Sequence, residues 1–208
     1  MEWIFIRHGE TEDNIKRAFA GWTDSKLSEK GKKQVKQVAS KLQKDLKHNR
    51  GVILYSSPLE RTSILAQEIE KSLNKDKNTL RVQLKYMEGL KEVNFGIFEG
   101  LNEAEIKQRY SKEWNLMMDN YGYYSIPEGE NLEVFHNRVV NSLDIIRKEG
   151  SEKDIRLIIT HGGVIQSALT HFLGLSMESR WHFSIPNSGI IKIDVIDGFG
   201  ILKSICGP

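Results

Sequence analysis

Two short apolar runs in this chain each end in a polar residue, a histidine and a glycine. Trp3, Ile4, Phe5 and Ile6 lead into Arg7-His8-Gly9-Glu10-Thr11, and Leu157, Ile158 and Ile159 lead through Thr160 into His161-Gly162-Gly163. An unbroken apolar run of this length fits a strand buried on both faces, the habit of parallel sheets covered by helices. The glycine that follows marks a turn out of the sheet. In open α/β sheets, binding groups collect just beyond the C-terminal ends of the strands. Two imidazoles far apart in sequence are therefore expected at one edge of one sheet, beside Arg7. That is a place for chemistry on an anion, with phosphate the expected one.

The rest of the pattern alternates. Strands are expected at residues 3–6, 52–55, 80–84, 155–160, 189–195 and 201–205. Helices are expected at about 29–47, 58–73, 102–110, 132–148 and 164–172. Val35, Val38, Ala39, Leu42 and Leu46 keep helical spacing inside a lysine-rich stretch, which therefore reads as the wet face of a helix. Such alternation predicts an α/β fold, a three-layer α/β/α sandwich with a largely parallel central sheet. With 208 residues, 39% of them hydrophobic, the chain suits one domain over 1–208. Residues 90–131 break the rhythm and read as an insertion that carries specificity. Ser57-Pro58-Leu59-Glu60 reads as a capping box with proline at the first helical position. Arg61 then falls in the first helical turn, where free N–H groups already favour anions.

Several function classes are disfavoured. A net charge of +2 gives no global field calling for nucleic acid. No apolar run approaches a membrane span, and no basic segment leads into a long apolar one at the N-terminus, so the expectation is a cytoplasmic protein. Cys206 is the one cysteine, so no intrachain disulfide forms, and nothing leads from it to an arginine as a cysteine phosphatase would need. There is no His-Glu-x-x-His pattern, no Cys/His cluster and no glycine-rich Gly-Lys-Ser/Thr loop. No metal or other cofactor is expected. His48, His136, His171 and His182 lack a strand-end context and read as structural or exposed.

What remains is phosphoryl transfer. A phosphate dianion needs cationic donors, for which Arg7 and Arg61 are candidates, with Asn14 as a neutral one. An imidazole flanked by guanidinium groups has its pKa depressed, stays neutral and can attack phosphorus. A second imidazole can donate to the phosphoryl oxygens. A carboxylic acid must protonate the leaving alcohol. Glu92 and Glu88 both follow the third expected strand.

These residues carry a resemblance. Arg7-His8-Gly9-Glu10-Thr11, with Asn14, resembles the signature of the histidine phosphatase superfamily, also called phosphoglycerate mutase-like. Matching segments follow in order: Gly21-Trp22-Thr23-Asp24 with Leu27 and Gly31, Ser56-Ser57-Pro58-Leu59-Glu60-Arg61, Leu90-Lys91-Glu92 with Gly96 and Glu99-Gly100, and Thr160-His161-Gly162. The resemblance implies that fold, a phosphohistidine intermediate and no metal. It implies His8 as the nucleophile, Arg7, Arg61 and His161 as the groups that bind and stabilise the phosphoryl, and Glu92 as the proton donor, two residues after Leu90. Asn14, Trp22, Thr23 and Gly162 complete the expected substrate-binding set.

The substrate stays open, because function lives in the site rather than the fold. The partner is expected to be a small-molecule phosphate ester, and the chain a monomer or homodimer. Gly21–Asp24 and 127–131, followed by Phe135 and Arg138-Val139, resemble the α-ribazole phosphatase branch, which acts in cobalamin assembly. Phe95, Phe98, Tyr110, Trp114, Tyr121, Tyr123 and Tyr124 could stack on a planar base, or could instead pack the insertion onto the core. A cofactor-dependent phosphoglycerate mutase is a second reading, with Lys107, Arg109 and Lys112 as the basic residues such an enzyme needs. A non-catalytic phosphate-binding scaffold is a third.

Overall fold

The computed structural model describes residues 1–46, 51–75, 81–120 and 122–207. Of the positions named above, Lys47, His48, Leu80 and Tyr121 lie outside the described residues. The strands are β1 (Glu2–Arg7), β2 (Val52–Ser56), β3 (Leu84–Tyr86), β4 (Ile155–Thr160), β5 (Ile190–Ile196) and β6 (Phe199–Cys206). They form one sheet in the order β3-β2-β4-β1-β5-β6. β3, β2, β4 and β1 run parallel, while β5 and β6 are antiparallel additions. The helices are α1 (Glu12–Lys16), α2 (Glu29–Asp45), α3 (Glu60–Leu73), α4 (Glu103–Arg109), α5 (Ser111–Asp119), α6 (Leu132–Arg147) and α7 (Gly162–Phe172). The expected largely parallel α/β sheet is thus the observed one.

β1 shows why its apolar run makes a central strand. Trp3 and Phe5 point to one side, against Val139 and Leu143 of α6 and Val164 and Ala168 of α7. Ile4 and Ile6 point to the other, against Val35 and Val38 of α2 and Leu65 and Ile69 of α3. Each fully buried aliphatic or phenyl side chain contributes about 1.5–3 kcal/mol, so one short strand locks both helical layers. α2 begins where the Ser28 hydroxyl accepts from the Gly31 N–H at 3.0 Å. Its Val35, Val38, Ala39 and Leu42 are buried, and its lysines face water.

Register then positions the site. Arg7 pairs with Thr160, so His8 and His161 leave adjacent strands at the same level. The His8 N–H bonds the Thr160 carbonyl at 3.0 Å, and the Ser57 N–H bonds the Ile159 carbonyl at 3.0 Å. The strand ends of β1, β4 and β2 are therefore level. The helices following β1 and β2 cover one face, while α7, following β4, covers the other. A crevice opens where this switch occurs, between β1 and β4.

Four local expectations need correction. Strand β3 starts at Leu84, where the expected strand was to end. Val82 is drawn away from the ladder because Asn74 takes both its backbone groups, at 2.8 and 2.9 Å. Ser57 does not cap α3. The helix begins at Glu60 after Leu59, and Asp24 from a distant loop caps it by accepting from the Glu60 N–H at 2.9 Å. Pro58 consequently precedes the helix instead of opening it. The short helix α1, with its Thr11–Asn14 capping box, and α5 carry no long apolar period and escaped the pattern. Finally, α7 starts at Gly162 rather than Val164. Among the described residues, no helix is long and apolar enough to cross a membrane.

Candidate active site

Each imidazole can be assigned a tautomer from its partners. His8 Nδ1 lies 2.7 Å from the Gly9 carbonyl. A carbonyl only accepts, so Nδ1 carries the proton and Nε2 keeps its lone pair. His161 Nδ1 receives the Arg61 Nε–H at 3.3 Å. An arginine only donates, so the other nitrogen, Nε2, carries the proton and donates to Ser57 Oγ at 2.8 Å. The two rings lie 5.3 Å apart between centroids. Both sit well below the ordinary histidine pKa: first because they are buried, then because of Arg61 and other positive neighbours. Both are therefore neutral at neutral pH.

The arginines differ in their engagement. Arg7 donates Nη1 to the Ile185 carbonyl at 2.6 Å, while its buried Nε has no partner among the described residues. An orphan cationic donor in a buried site is costly unless an anion completes it. Arg61 is fully buried and turned back into the protein. It bonds the Thr23 carbonyl at 2.9 Å, the Ala20 carbonyl at 3.2 Å and the Gly21 carbonyl. It supports His161 from behind and pins the 20–23 loop. Gly162 packs its backbone beside the Arg7 guanidinium, since a methyl there would sit 3.5 Å from Nε.

Of the two carboxylates, only Glu92 reaches this place. Its Oε2 accepts from the Gly163 N–H at 3.0 Å, at the start of α7. Glu88 instead pairs with Lys91 at 2.7 Å, and its side chain is 77% exposed. The Glu92 backbone carbonyl is held by Trp22 Nε1 at 2.9 Å and Arg138 Nη2 at 3.1 Å. Arg138 in turn is paired with Glu130. Trp22 and Thr23, expected to contact substrate, spend their polar groups on this scaffold. The Trp22 and Thr23 N–H groups and the Thr23 hydroxyl all donate to Glu99.

A cavity of about 400 Å³ opens at the crevice. Arg7, His8, Asn14 and Glu92 line it, together with Arg17, Phe19, Phe95 and Asn187. Asn14 Oδ1 accepts from the Thr11 N–H at 3.1 Å and from Asn187 Nδ2 at 2.8 Å, which leaves Asn14 Nδ2 as its donor. Sequence reasoning missed Asn187, Arg17 and Gly163 as site residues. A methyl on Gly163 would overlap the Glu92 carboxylate. Its glycine pair with Gly162 was the available signal. The aromatic insertion mostly packs: Phe98, Ile106 and Ile126 form a cluster with Tyr110, Trp114 and Tyr124 against it. Tyr123 is 65% exposed, and of the described rings between residues 90 and 131, only Phe95 lines the cavity. Lys107 pairs with Glu103, and neither Arg109 nor Lys112 lines the cavity.

Comparison with known proteins fits this geometry. Phosphoserine phosphatase 1 of Hydrogenobacter thermophilus is 26% identical over 188 residues, covering 90% of this chain and 83% of its own. A 2,3-bisphosphoglycerate-dependent phosphoglycerate mutase of Buchnera aphidicola is 30% identical, covering 94% of this chain and 89% of its own. The crystal structure of a putative alpha-ribazole-5'-P phosphatase from Escherichia coli superposes with a TM-score of 0.86 at 21% identity, covering 100% and 96% of the two chains, a likeness of fold. The family profile described as histidine phosphatase superfamily (branch 1) matches residues 3–206, and this chain belongs to that family.

Proposed function

We propose that this protein hydrolyses a small phosphate monoester through a phosphohistidine on His8. The observation that carries this is the bare Nε2 of a buried, neutral His8 beside the unpartnered Nε of Arg7. The phosphoryl group lies against Arg7 Nε and Asn14 Nδ2, and the His161 Nε2–H turns from Ser57 to a phosphoryl oxygen. The Nε2 lone pair attacks phosphorus. The ester P–O bond breaks, its electron pair stays on the alcohol oxygen, and protonated Glu92 supplies that oxygen's proton. The Glu92 carboxylate then takes a proton from water, whose oxygen attacks phosphorus. The P–N bond breaks and its electron pair returns to Nε2. Arg7 and Arg61 supply the positive charge that a metal would otherwise bring.

Hydrolysis is favoured over mutase exchange because Lys107, Arg109 and Lys112, the basic residues such a mutase would call on, do not line the cavity. The intact set of His8, Arg7, Arg61, Glu92 and His161 argues against a non-catalytic scaffold. α-Ribazole 5′-phosphate as the substrate, with a place in cobalamin assembly, draws support from Phe19 and Phe95 at the cavity, while Phe98, Tyr110, Trp114 and Tyr124 serve packing. The test is a rapid quench into alkali with phosphorus-labelled ester, since phosphoramidates on imidazole survive base and fail in acid. Label is expected on His8 and absent in His8→Ala, whose turnover falls roughly a thousandfold or more. Label on a serine or aspartate, or near-normal turnover in His8→Ala, rules the mechanism out.

A further inference from the structure

Four contacts tie residues 185–189 to the end of β1 and to α1. The Ile185 carbonyl accepts from Arg7 Nη1 at 2.6 Å. The Ser188 N–H donates to the His8 carbonyl at 2.9 Å, and the Gly189 carbonyl accepts from the Arg7 N–H at 3.1 Å. Between these anchors Asn187 donates from Nδ2 to Asn14 Oδ1 at 2.8 Å, a contact between segments 173 residues apart. Ser188 keeps this path at a cost. Its φ of 59° lies in the left-handed region that favours glycine, and the residue is fully buried. Its hydroxyl has no partner among the described residues. Ser188 is thus not held there by its side chain. The strained backbone secures the direction of its own N–H towards His8 and of Asn187 towards Asn14.

We infer that Asn187 is a positioning residue that fixes the Asn14 amide with Nδ2 towards the phosphoryl group. The inference rests on the phosphomonoesterase reading above. The two ends of an asparagine amide share a shape and have opposite polarity. The oxygens of a phosphate dianion only accept, so a flipped Asn14 would set its own oxygen against them. Locally the amide is oriented by one bond, from the Thr11 N–H to Oδ1 at 3.1 Å, in the cap of a five-residue helix. A helix that short does not hold itself. Asn187 supplies a second donor. Both lone pairs of Oδ1 are then filled from within the protein, and only Nδ2 is left for a ligand. Donation to the oxygen also polarises the amide and strengthens its N–H groups as donors. Asn187 lines the same cavity as Asn14 and His8, and its Nδ2 is spent on Asn14.

Orthophosphate affinity tests this, read by calorimetry and as inhibition of p-nitrophenyl phosphate hydrolysis, with a thermal melt of each variant. Asn187→Ala and the similarly sized Asn187→Leu should each raise the dissociation constant about five- to tenfold, the value of one hydrogen bond. In an Asn14→Ala background the amide to be positioned is gone. There the further change Asn187→Ala should cost less than about twofold. An affinity of Asn187→Ala within about twofold of the unaltered protein overturns the positioning role. So do losses that multiply in the double variant, the result expected of a loop that only supports the fold. Failure of the unaltered protein to hydrolyse p-nitrophenyl phosphate overturns the phosphomonoesterase reading instead, and the calorimetric affinities still decide the role of Asn187.

Discussion

Gly163→Ala separates the two jobs of the α7 N-terminus. The added methyl would overlap Glu92 Oε1 and stand 2.9 Å from Arg180 Nη2, so the carboxylate must move. For stability, two terms oppose each other. Alanine gains about 1 kcal/mol over glycine inside a helix. Losing the Gly163 N–H bond to the Glu92 carboxylate costs about 1–2 kcal/mol, as loss of a helix cap does. The net destabilisation is about 0–1 kcal/mol, which lowers Tm by no more than about 4 °C in a chain of this size. For activity, a proton donor displaced by about 1 Å costs on the order of 100-fold. That loss belongs to the step that protonates the leaving oxygen. An alkyl ester such as glycerol 3-phosphate should lose about 100-fold in kcat, and p-nitrophenyl phosphate, whose leaving group needs little protonation, less than about tenfold. The assay is kcat on both esters beside a thermal melt. Full turnover on the alkyl ester would remove Glu92 as the proton donor, and equal losses on both esters would make it a positioning group.

The buried histidines predict an acid-sensitive fold. Their folded pKa values lie well below the ordinary histidine value, so the unfolded chain binds protons first as pH falls. Stability should therefore fall below about pH 6.5 by up to ~1.4 kcal/mol per pH unit for each histidine. His8→Asn should show a shallower loss of Tm between about pH 7 and pH 5, and an unchanged slope would contradict the burial of His8 as a neutral ring. Exhaustive chelation should leave kcat within about twofold, because the guanidinium groups of Arg7 and Arg61 replace a metal's charge. Loss restored by one divalent ion would place the chemistry in another class.

The central strands β1, β2 and β4 and the two histidines were legible in the sequence because their signal is local. An apolar run buried on both faces reads the same in any chain, and the glycine after each histidine fixes where the run leaves the sheet. The lysine-rich helix was legible for the same reason, since Val35, Val38, Ala39 and Leu42 repeat at the helical period. Partners from distant segments were not legible. Nothing in Ser57-Pro58-Leu59-Glu60 says that Asp24 will cap the helix while Ser57 turns to His161. Glu88 and Glu92 are equivalent in composition; the resemblance singled out Glu92, and the contacts that carry it to α7 and leave Glu88 in water with Lys91 belong to the fold. Tertiary packing also turned Phe98, Tyr110, Trp114 and Tyr124 onto one cluster and Arg61 back onto the 20–23 loop, and brought Arg17 to the cavity. Periodicity reports which face a residue occupies. Which group meets it there depends on register and on loops brought together across the sheet, and those are set only when the chain closes.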